Sequence, residues 1–454
     1  MASLSGFPEY TPRERIVEQA VLDHLRSTFE LHGFASVETR AVEPLDVLLR
    51  KGEIDKEVYA VRRLADGAGD ADLALHFDLT VPFARYVVEN ANTLDFPFRR
   101  YQVQKVWRGE RPQQGRYREF TQADIDVVGR DVLSPHADVD VAQVMTEALG
   151  GLMDLVGSAD AHATLQVSNR KVLEGFYLGL GLTDSTAVMQ VVDKLDKVSP
   201  EKIRVMLGEI GVSDDSATKV LALAEIVTTD TSFVQRVEAL GVEHELLAEG
   251  LSELAHVVGS IVAPGRVTVT ADLRIARGLD YYTGTVFETR LSGFEQLGSI
   301  CSGGRYEKLA ADNRSTYPGV GISLGVSRLL AALLGDGVTA SRSVPTAVLV
   351  AVADEADRRG ADDVARSLRS RGVPTEVAPS AAKFGKQLRH AERRGIPFVF
   401  FPGGADGSAP TVKDIRSGDQ VEADPATWTP PADDLRPQVV APTPPVPDLQ
   451  EKTP

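Results

Sequence analysis

The stretch Phe98 to Gly129, FRRYQVQKVWRGERPQQGRYREFTQADIDVVG, constrains this chain more than any other. Two runs of strand-like composition, Arg99 to Trp107 and Phe120 to Val128, flank a connection that carries Gly109, Pro112 and Gly115. That pattern predicts an antiparallel hairpin with a long, mobile, basic loop. In the second run the two-residue period of a strand puts Gln122, Asp124 and Asp126 on one face, with Ala123, Ile125 and Val127 on the other. The loop supplies Arg108, Arg111, Arg116 and Arg118, with Glu110 among them. A guanidinium group donates two hydrogen bonds from one plane and keeps its charge, which suits phosphate. An acidic sheet face beside such a cluster can hold a cation at one end and phosphates at the other. The plainer alternative is a solvated hairpin with a polar outer face.

The order of residues favours the first reading. WRGERPQQGRYREFTQADID resembles motif 2 of the class II aminoacyl-tRNA synthetases, in its histidyl-tRNA synthetase form. The resemblance implies that Arg108 binds the α-phosphate of ATP and that Glu110 contacts adenine, with Arg116 in the same ATP-binding set. It also implies that Gln122 and Asp126 hold the histidine substrate. Matching segments continue from about Phe7 to about Asp424.

Thr11-Pro12 followed by Arg13 to Leu31 predicts a capped helix ending at Gly33, and Gly33 to Val42 predicts a strand. This pair sits where the family has motif 1, usually the dimer interface, although Arg40 stands at or near the motif's proline. Leu73 to Arg85, LALHFDLTVPFAR, predicts a strand entering a helix. On its own Asp78-Leu79-Thr80 is an ordinary helix cap. It resembles the family's histidine-binding DLT segment, which implies roles for Asp78, Leu79 and Thr80, in wording close to the eukaryotic and archaeal branch. His76 occupies a position often held by arginine. Asp138 to Val156 predicts an amphipathic helix, and Ala163 to Val167 a strand. Asn169 to about Val262 has helical periodicity without a chemistry-bearing cluster and is expected to form a helical insertion.

Val267 to Leu273 predicts a strand, and RGLDYYTGTVFE follows from Arg277 to Glu288. Paired tyrosines commonly pack on the two faces of a strand. The whole string, however, is similar to a segment peculiar to histidyl-tRNA synthetases. That implies Arg277 at the α-phosphate and substrate carboxylate, with Tyr281 and Tyr282 beside the imidazole. Gly303 to Tyr306, then GVGISLGVSRLL from Gly319 to Leu330, resemble motif 3, whose arginine, here Arg328, contacts the γ-phosphate.

Gly335 to Ser343 is a polar linker. Beyond it, strands and helices alternate at Thr346 to Val352, Asp362 to Arg371, Thr375 to Val377, Lys383 to Arg394 and Phe398 to Phe401, which predicts a small α/β domain with a mainly parallel sheet. The helix FGKQLRHAERRG resembles the anticodon-binding domain of several class II synthetases, implying tRNA contact through Lys386, Arg389, Arg393 and Arg394; a solvated face is the plainer reading. From Pro430 onward the proline-rich composition predicts disorder.

At 454 residues the chain can hold two or three domains. Its net charge of −16 argues against indiscriminate nucleic-acid binding and leaves room for local basic patches. A single cysteine, Cys301, permits no intramolecular disulfide and no cysteine-based metal site. No apolar run reaches membrane-spanning length and no signal pattern opens the chain, so a soluble cytoplasmic protein without membrane contact is expected.

The expected architecture is α+β: a catalytic domain over 1–334 with a mainly antiparallel sheet flanked by helices, the insertion at about 169–262, an anticodon-binding α/β domain at 344–428, and a disordered tail at 430–454. The resemblance implies ATP-dependent ligation of L-histidine to its tRNA, with Mg²⁺, in a homodimer, and no metal ligated by the protein itself. Two rivals stand beside this expectation. A regulatory paralog in histidine biosynthesis lacks the C-terminal domain and degrades the arginine motifs, both of which this chain keeps. A synthetase for threonine, proline or glycine does not carry RGLDYY or the Gln122 and Asp126 pair.

Overall fold

The computed structural model describes residues 4–49, 55–66, 71–156, 161–275, 281–403 and 408–441. The chain divides into two compact units, Met1–Pro8 with Leu22–Leu333, and Glu9–Val21 with Leu334–Pro454. Where the sequence predicts one unbroken stretch to residue 334, the first unit gives up Glu9–Val21.

The first unit is organised by a nine-stranded sheet. In spatial order its strands are Ala35–Ser36, Phe98–Trp107, Glu119–Val128, Gly319–Gly325, Cys301–Tyr306, Tyr282–Leu291, Ala163–Asn169, Val267–Asp272 and Val227–Thr228. Neighbours are antiparallel except Ala35–Ser36 beside Phe98–Trp107 and Ala163–Asn169 beside Val267–Asp272. The hairpin is continuous, pairing Phe98 with Val128 at one end and Trp107 with Glu119 at the other. Its second strand is buried on both faces, so the solvated-hairpin alternative fails. The helix His136–Val156 packs on this strand and on Gly319–Gly325. Most of its residues are buried, so it is a core helix rather than the amphipathic one expected. Among them Asp138 pairs with Arg305, 2.9 Å away, and accepts from Thr285 Oγ1 at 2.6 Å, which offsets the cost of hiding a carboxylate.

The strand expected over Gly33 to Val42 is interrupted. The main ladder ends where Val37 N donates to Tyr101 O at 2.9 Å, and the side chains of Gln102 and Gln104 then bond Thr39 Oγ1 and Thr39 O. Side-chain amides take the place of a ladder partner. The chain re-enters a sheet at Val42–Pro44, which pairs with Leu73–Leu75 and, beyond it, Ala60–Val61.

The insertion is helical from Arg170–Gly179 to Glu245–Ser260, with one exception: Val227–Thr228 pairs with Ala271–Asp272 and forms the last strand of the main sheet. Its first and last helices meet at glycine, since a Cβ on Gly175 would lie 2.3 Å from Leu247 N and one on Gly250 2.5 Å from Val172 N.

The second unit carries a five-stranded sheet in the order Thr375–Val377, Val348–Val350, Phe398–Phe401, Thr411–Asp414, Gln420–Glu422. The first three are parallel and the last two antiparallel, so the sheet is mixed where a mainly parallel one was expected. Val348–Val350 is wholly buried, as a strand covered on both faces must be. The linker and tail are also more ordered than their composition suggests. Thr339–Ala340 pairs with Val439–Val440, and Arg416 bonds Asp434 at 2.7 and 2.8 Å. Disorder from Pro430 is therefore corrected as far as Ala441; residues 442–454 lie outside the described residues.

Candidate active site

The hairpin ends at Trp107, which places Arg108 at the mouth of the loop. Its Nε donates to Phe77 O at 3.2 Å, and its guanidinium stacks 4.3 Å from the Phe77 ring centre and 5.2 Å from that of Phe120. Stacking orients the flat group while leaving its edge available. Glu110 is ion-paired with Arg116. The loop closes tightly: Gln113 and Arg116 exchange backbone hydrogen bonds of 3.0 and 2.9 Å around Gly115, whose φ of +70° suits glycine. Arg328 pins it from the motif 3 helix by donating to Gly115 O at 3.2 Å and Ser299 O at 2.6 Å. The connection is long, as expected, and its tip is closed and held by Arg328.

The acidic face lies beside this loop. Across from Gln122, Asp124 and Asp126 stand Gly325, Ser323 and Gly321. Small residues on the facing strand make room for large polar ones, and a Cβ on Gly321 would sit 2.1 Å from Asp126 Oδ1. Asp126 accepts from Tyr306 Oη at 2.9 Å and lies 2.7 Å from Arg100 Nη2. That nitrogen is off hydrogen-bond direction, so charge rather than alignment holds the pair. Burial pushes the carboxyl of Asp124 up to about 7 and that of Asp126 to about 6, with Arg100 opposing both.

A cavity of about 280 Å³ opens on these elements. Its walls bring together Arg108, Glu110, Arg116, Gln122, Tyr281, Tyr282 and Arg328, from three separated stretches of sequence. The two tyrosine rings stand 4.2 Å apart. Other predicted residues are not on the wall. Asp78 is buried and accepts from Val81 N at 3.1 Å, and Leu79 is wholly buried. Thr80 opens the helix Thr80–Asn90. Asp126 sits behind the wall, held by Arg100 and Tyr306. Arg277 lies outside the described residues. In the second unit Lys386, Arg389 and Arg393 are exposed, but Arg394 is committed to Glu376 through two hydrogen bonds of 2.6 and 2.7 Å.

Sequence reasoning missed Arg100, Ser323 and Tyr306 as members of the site. The hairpin register contained a signal for the first: pairing Trp107 with Glu119 puts Arg100 opposite Asp126. His76 is buried, with Nε2 2.6 Å from Lys105 O and its ring 5.5 Å from Trp107, and burial lowers its pKa.

Doubly wound folds bind nucleotides beyond the carboxyl ends of parallel strands. Here arginines meet an acidic face on an antiparallel sheet, an arrangement that defines the catalytic core of a class II aminoacyl-tRNA synthetase. The family model for histidyl-tRNA synthetase matches residues 6–329, and that for an anticodon binding domain matches residues 346–427. The chain belongs to the histidyl-tRNA synthetase family. It is 62% identical to the histidine–tRNA ligase of Micrococcus luteus over 96% of this chain and 98% of that one. It is 59% identical to that of Cutibacterium acnes, with the same shares covered. The crystal structure of histidyl-tRNA synthetase from Nostoc superposes with a TM-score of 0.82 at 34% identity, covering 93% of this chain and 96% of that one.

Proposed function

We infer that the protein activates L-histidine with ATP and transfers it to its tRNA. The histidine carboxylate attacks the α-phosphorus of ATP, forming histidyl-adenylate and expelling pyrophosphate. A ribose hydroxyl of the tRNA terminal adenosine then attacks the activated carbonyl and releases AMP. The first nucleophile is already ionised near neutral pH and needs no general base. It needs in-line placement and positive charge around phosphorus. Arg108 and Arg277 fill that role at the α-phosphate, Arg328 takes the γ end, and Glu110 and Arg116 border the nucleotide. Gln122, Tyr281 and Tyr282 hold histidine, with Asp126 behind them and Asp78, Leu79 and Thr80 at the DLT turn. Mg²⁺ enters with ATP as its counter-ion, because Glu110, the carboxylate on the cavity wall among the described residues, is already paired with Arg116.

The observation that carries this reading is the convergence of Arg108, Gln122, the tyrosine pair and Arg328 on one cavity. The exposed Lys386, Arg389 and Arg393 belong to tRNA binding. A homodimer through the motif 1 region and a cytoplasmic location complete the reading. No helix among the described residues is long and apolar enough to cross a membrane, which accords with it. Pyrophosphate exchange into ATP, measured with each amino acid in turn, tests the assignment. Exchange supported by histidine alone is the expected result; no exchange with any amino acid would return the protein to the regulatory-paralog alternative.

A further inference from the structure

Gln122 is buried in the cavity wall, and its two amide ends are treated differently. Nε2 donates to Ser323 Oγ at 2.7 Å, and Ser323 Oγ in turn donates to Asp124 Oδ1. Oε1 is buried without a hydrogen-bond partner among the described residues. Ser323 stands directly across the ladder from Asp124, and the two-residue period puts Gln122 on the same face.

The donor and acceptor inventory makes this arrangement directional. Above pH 7, where the Asp124 carboxyl is ionised, it only accepts, so the serine hydroxyl must spend its single hydrogen on Asp124. Only lone pairs then remain for Gln122, which must answer with its NH₂ group. The carbonyl oxygen is thereby turned the other way. A glutamine amide is nearly symmetric in shape, so packing alone sets O against N poorly, whereas a hydrogen-bond chain ending in a charge sets it firmly. An acceptor held in this way matches an N–H donor on the substrate. Free histidine offers two kinds, the α-ammonium and an imidazole N–H. A ligand with an acceptor at that point leaves two buried oxygens facing each other, which is how a polar pocket rejects near relatives.

We propose that Ser323 and Asp124 are positioning residues that fix the Gln122 amide with its oxygen toward the amino acid, and so contribute to selection for histidine. The inference rests on the reading of Gln122 as a histidine contact. Neither positioning residue need touch the substrate.

Steady-state pyrophosphate exchange with the full-length protein tests it. Threonine and valine have nearly the same shape, so Ser323→Thr and Ser323→Val differ chiefly in the hydroxyl. Ser323→Val, like Ser323→Ala, is expected to raise the KM for histidine about 10- to 100-fold, the effect of removing one hydrogen bond from a buried site. The KM for ATP and the kcat should stay within about threefold, and Ser323→Thr should return the KM for histidine to near the parental value. Gln122→Ala should show a comparable loss, and adding Ser323→Val to it should cost little more. If Gln122→Ala leaves the KM for histidine unchanged, the site reading itself falls. If Gln122→Ala is impaired while Ser323→Val matches Ser323→Thr, the site reading stands and the relay is overturned. Fully additive losses also overturn it, since Ser323 would then act by another route.

Discussion

Arg100 and Asp126 face each other across the hairpin, Nη2 to Oδ2 2.7 Å apart, both buried. Arg100 also lies 4.1 Å from the ring centre of Phe83, so its flat side is covered by an aromatic and its edge by charge. With Asp124 one alternate position away, one guanidinium serves two buried carboxylates.

Arg100→Met should therefore cost about 3–5 kcal/mol of folding stability at pH 7.5, the penalty for stripping one partner from a buried pair. Removing the cation also drives both carboxyls further up, so the deficit should shrink at pH 5.5, where they are more protonated. Urea unfolding at the two pH values checks this. A deficit independent of pH would mean that Arg100 contributes packing rather than charge.

Asp124 allows a second pH test. Its carboxyl titrates at about 7 in the folded protein against an ordinary value of 3.8, because burial outweighs the help of Arg100 and Ser323, and the charges of Asp126 and Asp78 add to the shift. The folded state thus holds the proton more tightly than the unfolded state. The destabilisation is absent below about pH 4, grows between pH 4 and 7, and is complete above that. Asp124→Asn, which carries no charge to bury, should raise the Tm most at pH 8 and progressively less toward pH 5. An equal change at all pH values would show that the Asp124 carboxyl titrates alike in the folded and unfolded protein, so that burial does not raise it.

The second unit separates two kinds of arginine. Replacing Lys386, Arg389 and Arg393 together with glutamine should weaken tRNA binding and flatten its salt dependence, the slope falling by roughly 0.7–0.9 for each phosphate no longer neutralised. Arg394→Gln should leave that slope unchanged and instead destabilise the unit by about 1 kcal/mol, since it removes a partly exposed, two-pronged ion pair with Glu376. Filter binding across salt concentrations, with thermal unfolding alongside, tells the two apart.

Arg277→Ala should slow histidyl-adenylate formation by a factor on the order of 10², as expected for loss of a preorganised charge at the reacting phosphate. Histidine affinity should fall less. Single-turnover formation of the adenylate measures it, and a near-normal rate would remove Arg277 from the catalytic set.

Period and motif order made much of this molecule legible. The hairpin, the shared face of Gln122, Asp124 and Asp126, the strand-to-helix joint that carries Arg328 and the alternating C-terminal unit all follow from local pattern. What escaped depends on partners distant in sequence. The hairpin register sets Arg100 opposite Asp126 but not its burial there, and nothing near Gly115 announces that Arg328 will grip its carbonyl. Thr39 ends a strand because two glutamines of a neighbouring strand claim it. Pro430 to Ala441 reads as disordered by composition, yet Val439–Val440 finds Thr339–Ala340 and Asp434 finds Arg416. Arg394 reads like its basic neighbours in sequence, and only the fold brings Glu376 up to hold it.

The alternation Gly321, Ser323, Gly325 has a consequence for quality control in folding. A one-residue slip of this strand against Glu119–Val128 would set Ile322 and Leu324 over the positions that Asp126 and Asp124 occupy, driving branched hydrocarbon into the carboxylates. In many sheets a slipped register survives as a slightly looser isomer. Here it would crowd the cavity wall beside Gln122 and strand two acidic groups at once, so the slipped pairing is penalised twice at one spot. Correct pairing of these two strands is thus a precondition for the cavity wall that Gln122 and Ser323 share.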